Sequence, residues 1–127
     1  MTPEVEQAIA EIRQAFSEHT VEVQPESQGG AYIIVHSLPI GEQYTPSTSW
    51  IGFLLGFQYP HADVYPLFMD SAVRRTDGQA WGTGLSSPVC WNNRNTVQIS
   101  RRANRWNPTV DTAATKLAKV LAWLRSL

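Results

Sequence analysis

The apolar residues of this chain change their spacing twice, and that change limits the folds open to it. Val5, Ile9, Ile12 and Phe16 recur at helical intervals, with Glu4, Glu6, Glu11, Arg13 and Glu18 on the other faces, the pattern of an amphipathic helix. Thr2 is placed to cap that helix and Pro3 suits its first position, where a missing N–H is no loss. The spacing predicts a helix to about Glu18. At the opposite end Ala114, Leu117, Val120, Leu121 and Leu124 return to one helical face behind Asp111, the predicted N-cap, while Lys116, Lys119 and Arg125 bring positive charge along and toward the helix end, where it suits the dipole.

Between these helices the period is that of strands. Val21 and Val23 alternate with Glu22 and Gln24, residues 25–30 read as a turn, and the β-branched and aromatic run 31–36 reads as the hairpin partner. Leu38-Pro39 ends it, since proline offers no ladder donor. After a loop over 40–47, residues 49–58 are the most apolar segment and the predicted central strand, stopped at Tyr59-Pro60. Residues 64–69 read as a short strand, Asp77-Gly78 as a turn, 78–95 as a long irregular loop and 96–100 as one more strand. The expectation is a single α+β domain over 1–127, with an N-terminal helix, an antiparallel meander of four to five strands, a long loop and a C-terminal helix.

Composition narrows the functional classes. Hydrophobic residues make up 43% and charged residues 17% of 127, a balance that supports a packed core rather than disorder. The longest apolar stretch, 50–57, is too short to cross a bilayer and is broken by Gly52 and Gly56. The first residues lack a basic and then apolar leader, so the chain is expected to be cytoplasmic. Cys90 is the one cysteine and His19, His36 and His61 lack ligand spacing, so no metal site is expected. No glycine-rich phosphate loop precedes a helix and no nucleophile-elbow serine is present, so no cofactor is expected either.

The net charge of −1 hides an asymmetry: residues 1–70 hold nine acids and one base, residues 71–127 nine bases and two acids. Two readings stand. Either the halves pack against each other or are simply solvated, or the basic half meets an anionic partner and the acidic helix a different one.

Leu38-Pro39 after the second strand, the segment Gly56-Phe57-Gln58-Tyr59-Pro60-His61-Ala62-Asp63-Val64-Tyr65-Pro66-Leu67-Phe68, and Trp106-Asn107-Pro108 before the last helix follow one another in a telling order. Helix, meander, Tyr-Pro turn, irregular loop, Trp-x-Pro and helix together resemble the ubiquitin-conjugating (UBC) fold, and more narrowly the prokaryotic UBC-like proteins described as prokaryotic E2 family E. The resemblance covers nearly the whole chain. It implies a protein of a bacterial ubiquitin-like conjugation pathway, with a ubiquitin-like protein and an activating enzyme as partners and no membrane. Tyr59, Pro60, Trp106 and Pro108 are then structural: proline fixes φ, tyrosine packs beneath, and tryptophan marks the entry to the last helix.

The implied chemistry needs a thiolate to hold the carrier's carbonyl as a thioester, and donors to stabilise the oxyanion. Cys90 is the one thiol, and Asn92, Asn93 and Asn95 are the candidate donors. The chain departs from the eukaryotic pattern by lacking His-Pro-Asn, and Cys90 lies 16 residues before Trp106. The eukaryotic spacing is roughly half that and would place Gln98 near the catalytic position. Cys90 therefore carries two readings, an acceptor thiol favoured as thiolate by Arg94 or an ordinary small side chain beside Val89 and Trp91.

A second class of function rests on arginine. Arg94, Arg101, Arg102 and Arg105, with Trp91, are candidate partner-binding residues, since guanidinium groups bind carboxylate and phosphate bidentately and stack on aromatic rings. They suit a thiol-independent adaptor, or a nucleic-acid or phosphate-ligand module; the plainer reading is that Arg and Trp stiffen a loop by stacking on one another.

Overall fold

A computed structural model describes residues 1–127. Helix α1 spans Pro3–Ala15 and helix α2 Ala113–Ser126. Eight strands lie between them: β1 (Val21–Pro25), β2 (Ala31–Pro39), β3 (Tyr44–Thr45), β4 (Thr48–Leu55), β5 (Leu67–Asp70), β6 (Arg74–Arg75), β7 (Leu85–Trp91) and β8 (Arg94–Ile99). Six form an antiparallel sheet in the order β1-β2-β4-β5-β8-β7, and β3 pairs with β6 in a separate two-residue ladder.

Thr2 caps α1 as its sequence position predicts, its Oγ1 accepting from the Val5 N–H at 3.1 Å. The helix stops at Ala15 rather than near Glu18, because Phe16 leaves helical geometry (φ −119°, ψ 47°) and packs its ring against the core edge. The chain has to reverse there to begin β1 five residues on. At α2 the cap is Thr112, not Asp111. Thr112 and Thr115 exchange side-chain and backbone hydrogen bonds in a capping box. The Asp111 carboxylate accepts instead from the Asn107 N–H at 2.7 Å and closes the preceding turn.

One face of the sheet carries the core. Cross-strand partners share a face, so the register sets Ile33, Phe53, Leu67 and Ile99 in one row and Val35, Ile51, Met69 and Val97 in the next, all buried. Val5, Ala8, Ile9 and Ile12 of α1 and Leu117, Val120, Leu121 and Leu124 of α2 complete the same cluster. Both helices therefore cover this face.

The region read as a loop over 78–95 contains a strand. β7 has few strand-forming residues, and Ser87-Pro88 sits where its register with β8 shifts between Ser86 and Val89. An edge strand tolerates proline and a bulge at such a point, so β7 exists because β8 offers it a ladder. The meander thus has six strands, one more than the upper expectation. The other strands of the six-stranded sheet fall within a few residues of their predicted places, while Tyr44–Thr45, inside the loop expected over 40–47, and Arg74–Arg75, outside every predicted strand, add a short ladder.

Candidate functional site

The β7–β8 hairpin closes through Asn92 and Asn93, with φ 49° and 61°. Two successive left-handed residues make the mirror-image turn that a two-residue hairpin favours, and asparagine tolerates that conformation. The hairpin tip folds over the sheet face opposite the helices. Trp91 stacks on Phe68 at 4.7 Å and lies near Trp50 and Tyr32 at 6.4 and 5.9 Å between centroids. Gly52 allows this approach, since a Cβ there would stand 2.6 Å from the Trp91 ring. Arg94, cross-strand from Trp91, lies over Trp50 at 5.4 Å and 3.7 Å from Glu22 of β1.

Cys90 faces the other way. Side chains alternate along a strand, so Cys90 and its cross-strand partner Asn95 point away from the Trp91–Arg94 pair, and both are exposed. The expected help from Arg94 is therefore not built, since its guanidinium is held on the opposite side by Trp50 and Glu22. Of the three candidate oxyanion donors, Asn95 stands directly across from Cys90, Asn93 is exposed at the turn, and the Asn92 amide reaches Gln24 Oε1 at 3.5 Å. Gln98, the position marked by eukaryotic spacing, is half-buried on β8 opposite Ser86 and donates to Ser100 Oγ at 3.0 Å.

The four motif residues converge at the start of α2. The Trp106 indole N–H donates to the Pro60 carbonyl at 2.6 Å, and the Ala113 N–H at the first helical position donates to the Tyr59 hydroxyl at 3.0 Å. Burial pushes the Tyr59 phenol above its usual pKa, the Ala113 bond opposes this, and Glu11 adds to it. Pro108 enters the turn whose Val110 N–H returns to the Asn107 carbonyl at 3.0 Å. The segment after Tyr59-Pro60 is tied to the helix a second time by a pair that sequence reasoning missed. Lys116 is 4% exposed, and its ammonium donates to both Asp63 oxygens at 3.0 and 3.1 Å and to the Arg101 carbonyl at 2.7 Å. Asp63 also accepts from the Ala103 N–H at 2.8 Å. A signal existed: Lys116 precedes Val120 and Leu124 by four and eight residues and so falls on the apolar stripe.

The arginine and tryptophan candidates separate into two places. Trp91 and Arg94 belong to the hairpin tip, whereas Arg101, Arg102 and Arg105 line a cleft of about 430 Å³ between residues 101–106 and α2. There the Arg101 guanidinium lies over Trp123 at 5.2 Å, whereas Arg102, at the cleft's edge, lies over Tyr65 at 4.0 Å, a ring that lines the neighbouring groove. Stacking of arginine on tryptophan, the plainer of the two readings, is thus realised twice, with Arg102 on Tyr65 a third stack on a different ring, but it does not neutralise the charge. Only Glu22–Arg94 and Asp63–Lys116 join the acidic to the basic half.

The model of prokaryotic E2 family E matches residues 12–126. The chain belongs to that family. No curated protein and no solved structure is a match for it. The α+β architecture, with a helix at each end of an antiparallel sheet, is consistent with an E2-like fold. As a member of prokaryotic E2 family E the chain is a UBC-like protein, and the Tyr59-Pro60 and Trp106 contacts explain how its last helix is seated on the sheet. No helix in this family member is long and apolar enough to cross a membrane.

Proposed function

We propose that this protein carries a ubiquitin-like protein in a bacterial conjugation pathway, with Cys90 as the acceptor thiol. Membership of prokaryotic E2 family E is the observation that supports this reading most. The exposure of Cys90 adds to it, because an acceptor has to admit the C-terminus of another protein.

The Cys90 thiolate attacks the thioester carbonyl of a carrier held on an activating enzyme. The new C–S bond forms as the activating enzyme's thiolate leaves. A lysine amine of the target then attacks the Cys90 thioester, the amide forms, and Cys90 departs as thiolate while the amine proton passes to solvent. Asn95 is the favoured oxyanion donor, since directly opposed side chains on a hairpin lie roughly 5 Å apart at Cβ.

The test is a non-reducing gel after incubation with a ubiquitin-like protein, its cognate activating enzyme and ATP. The expected result is an adduct removed by thiol reductant and absent in Cys90→Ser. Full adduct formation in Cys90→Ser, or none from the unaltered chain with every cognate component active, overturns the reading. A thiol-independent adaptor is the alternative, favoured by the distance in sequence between Cys90 and Trp106 and by the separate arginine cleft. It predicts stable co-elution with the carrier that Cys90→Ser leaves unchanged.

A further inference from the structure

We infer that the cleft between residues 101–106 and α2 binds a small molecule bearing a diphosphate or triphosphate group, held by Arg101, Arg102 and Arg105 with Lys119 at its rim. Three observations carry this. The cleft is concave and about 430 Å³ in volume, the size of a small-ligand site rather than of a duplex or protein footprint. Its arginines are uncommitted: the ion pairs of the chain engage Arg75, Arg94, Lys116, Lys119 and His36, but none of Arg101, Arg102 and Arg105. Each guanidinium offers five N–H donors, and none of those three donates a side-chain hydrogen bond within the chain, whereas Arg125 donates to Pro39. One of the three is also pre-positioned within the cleft, Arg101 over Trp123, and stacking on a ring face leaves the hydrogen-bonding edge of a guanidinium free; Arg102 stacks on Tyr65 at the cleft's edge.

The number of cations selects the ligand. One phosphate monoester is satisfied by one or two arginines in bidentate contact. The lining also holds one carboxylate, Asp111, which accepts from the Asn107 N–H and pairs with the largely exposed Lys119 at 3.6 Å; the three uncommitted arginines beyond that pair suit a chain of two or three phosphates. Lys116 takes no part, because Asp63 and the Arg101 carbonyl occupy its ammonium. Those same bonds fix the backbone at Arg101 and Ala103, so the rim that carries the arginines is anchored to α2. The site is independent of Cys90, which lies toward the far end of β7, roughly 20 Å along the strand from Gly84, the residue against Trp123.

The experiment is isothermal titration of the full chain with sodium tripolyphosphate and, separately, with ATP, accompanied by intrinsic tryptophan fluorescence, since Trp106 and Trp123 line the cleft. Saturable one-to-one binding of tripolyphosphate is expected, weakened about tenfold by Arg105→Gln or Arg102→Gln, as loss of a charged hydrogen bond to phosphate implies. Arg101→Gln combined with Arg105→Gln should abolish it, and Arg74→Gln and Cys90→Ser should leave it unchanged. Equal affinity for ATP identifies the phosphate chain alone as the determinant, and tighter ATP binding adds contacts to the nucleoside. Circular dichroism verifies folding; Arg105, exposed and unbonded, provides the variant that leaves the fold intact. The inference is overturned if neither probe saturates, if the Arg105→Gln and Arg102→Gln variants bind as tightly as the unaltered chain, or if a single-stranded oligonucleotide or polyglutamate peptide competes more strongly than tripolyphosphate.

Discussion

Tyr59 links two parts of the chain through a single oxygen. Its ring belongs to the core, and its hydroxyl accepts from the Ala113 N–H, one of the four donors that the start of α2 cannot satisfy internally. Replacing Tyr59 by Phe leaves that N–H without its partner and is expected to cost about 1–2 kcal/mol in a urea melt near neutral pH. The pH dependence has a definite sign. Burial raises the folded-state pKa above 10.0, so in alkali the unfolded chain gives up this proton first. The stability conferred by Tyr59 is complete below the unfolded pKa and declines as pH rises beyond it. Tyr44, raised by the same cause and donating to the Leu124 carbonyl at 2.7 Å, adds to the decline. Melts of Tyr59→Phe at about pH 7 and about pH 11 should therefore show a shallower alkaline loss than the unaltered chain; an equally steep loss contradicts the assignment.

At the level of elements, the ends of the helices and the path of one hairpin were the least legible features. Asp111 and Thr112 are both good N-cap residues by composition, and the sequence offers no rule for choosing between neighbours. The choice is made by Thr115, whose hydroxyl accepts from the Thr112 N–H at 3.0 Å, and by the turn at Asn107, which engages Asp111. Thr112→Ala is accordingly expected to lower stability by about 1 kcal/mol, with Thr112→Ser restoring most of it. Chemical denaturation of both variants checks this, and a full loss in Thr112→Ser would contradict the capping box. The β7–β8 hairpin shows the reverse case. Its turn residues, Asn92-Asn93, tolerate the left-handed conformation they adopt, but residues 78–95 read as a loop because β7 itself contains Ser86, Ser87 and Pro88, and local preference argues against a strand. Pairing with β8 overrides it.

For the molecule as a whole, the Asp63–Lys116 pair has the widest reach. It joins the crossing after β4, the irregular segment before α2 and α2 itself, at a point where Lys116 is almost fully buried. Removing one member strands the other charge away from water. Asp63→Ala is expected to cost about 3–5 kcal/mol, measurable as a lowered denaturation midpoint. Replacing both residues with apolar ones, as in Asp63→Leu with Lys116→Met, should recover a substantial part, because the desolvation of both charges then disappears. If the double variant is no more stable than Asp63→Ala, the pair acts through geometry that apolar packing cannot replace. The long-range charge asymmetry resolves at this scale too. Acidic and basic halves meet in two ion pairs only, which leaves the arginines of the cleft facing solvent.

The sequence by itself determined the helix at each end, the hairpin of β1 and β2, the central apolar strand and the family-level order of the Tyr59-Pro60 and Trp106 motifs. These depend on periodicity and on residues whose backbone preference is local. Only the tertiary structure decided that β7 is a strand, that Cys90 and Arg94 face opposite ways, that Lys116 is buried against Asp63, and that Arg101, Arg102 and Arg105 gather in one cleft. Each of these turns on which residues distant in sequence become neighbours, and that is set by cross-strand register and helix seating, which no local spacing contains.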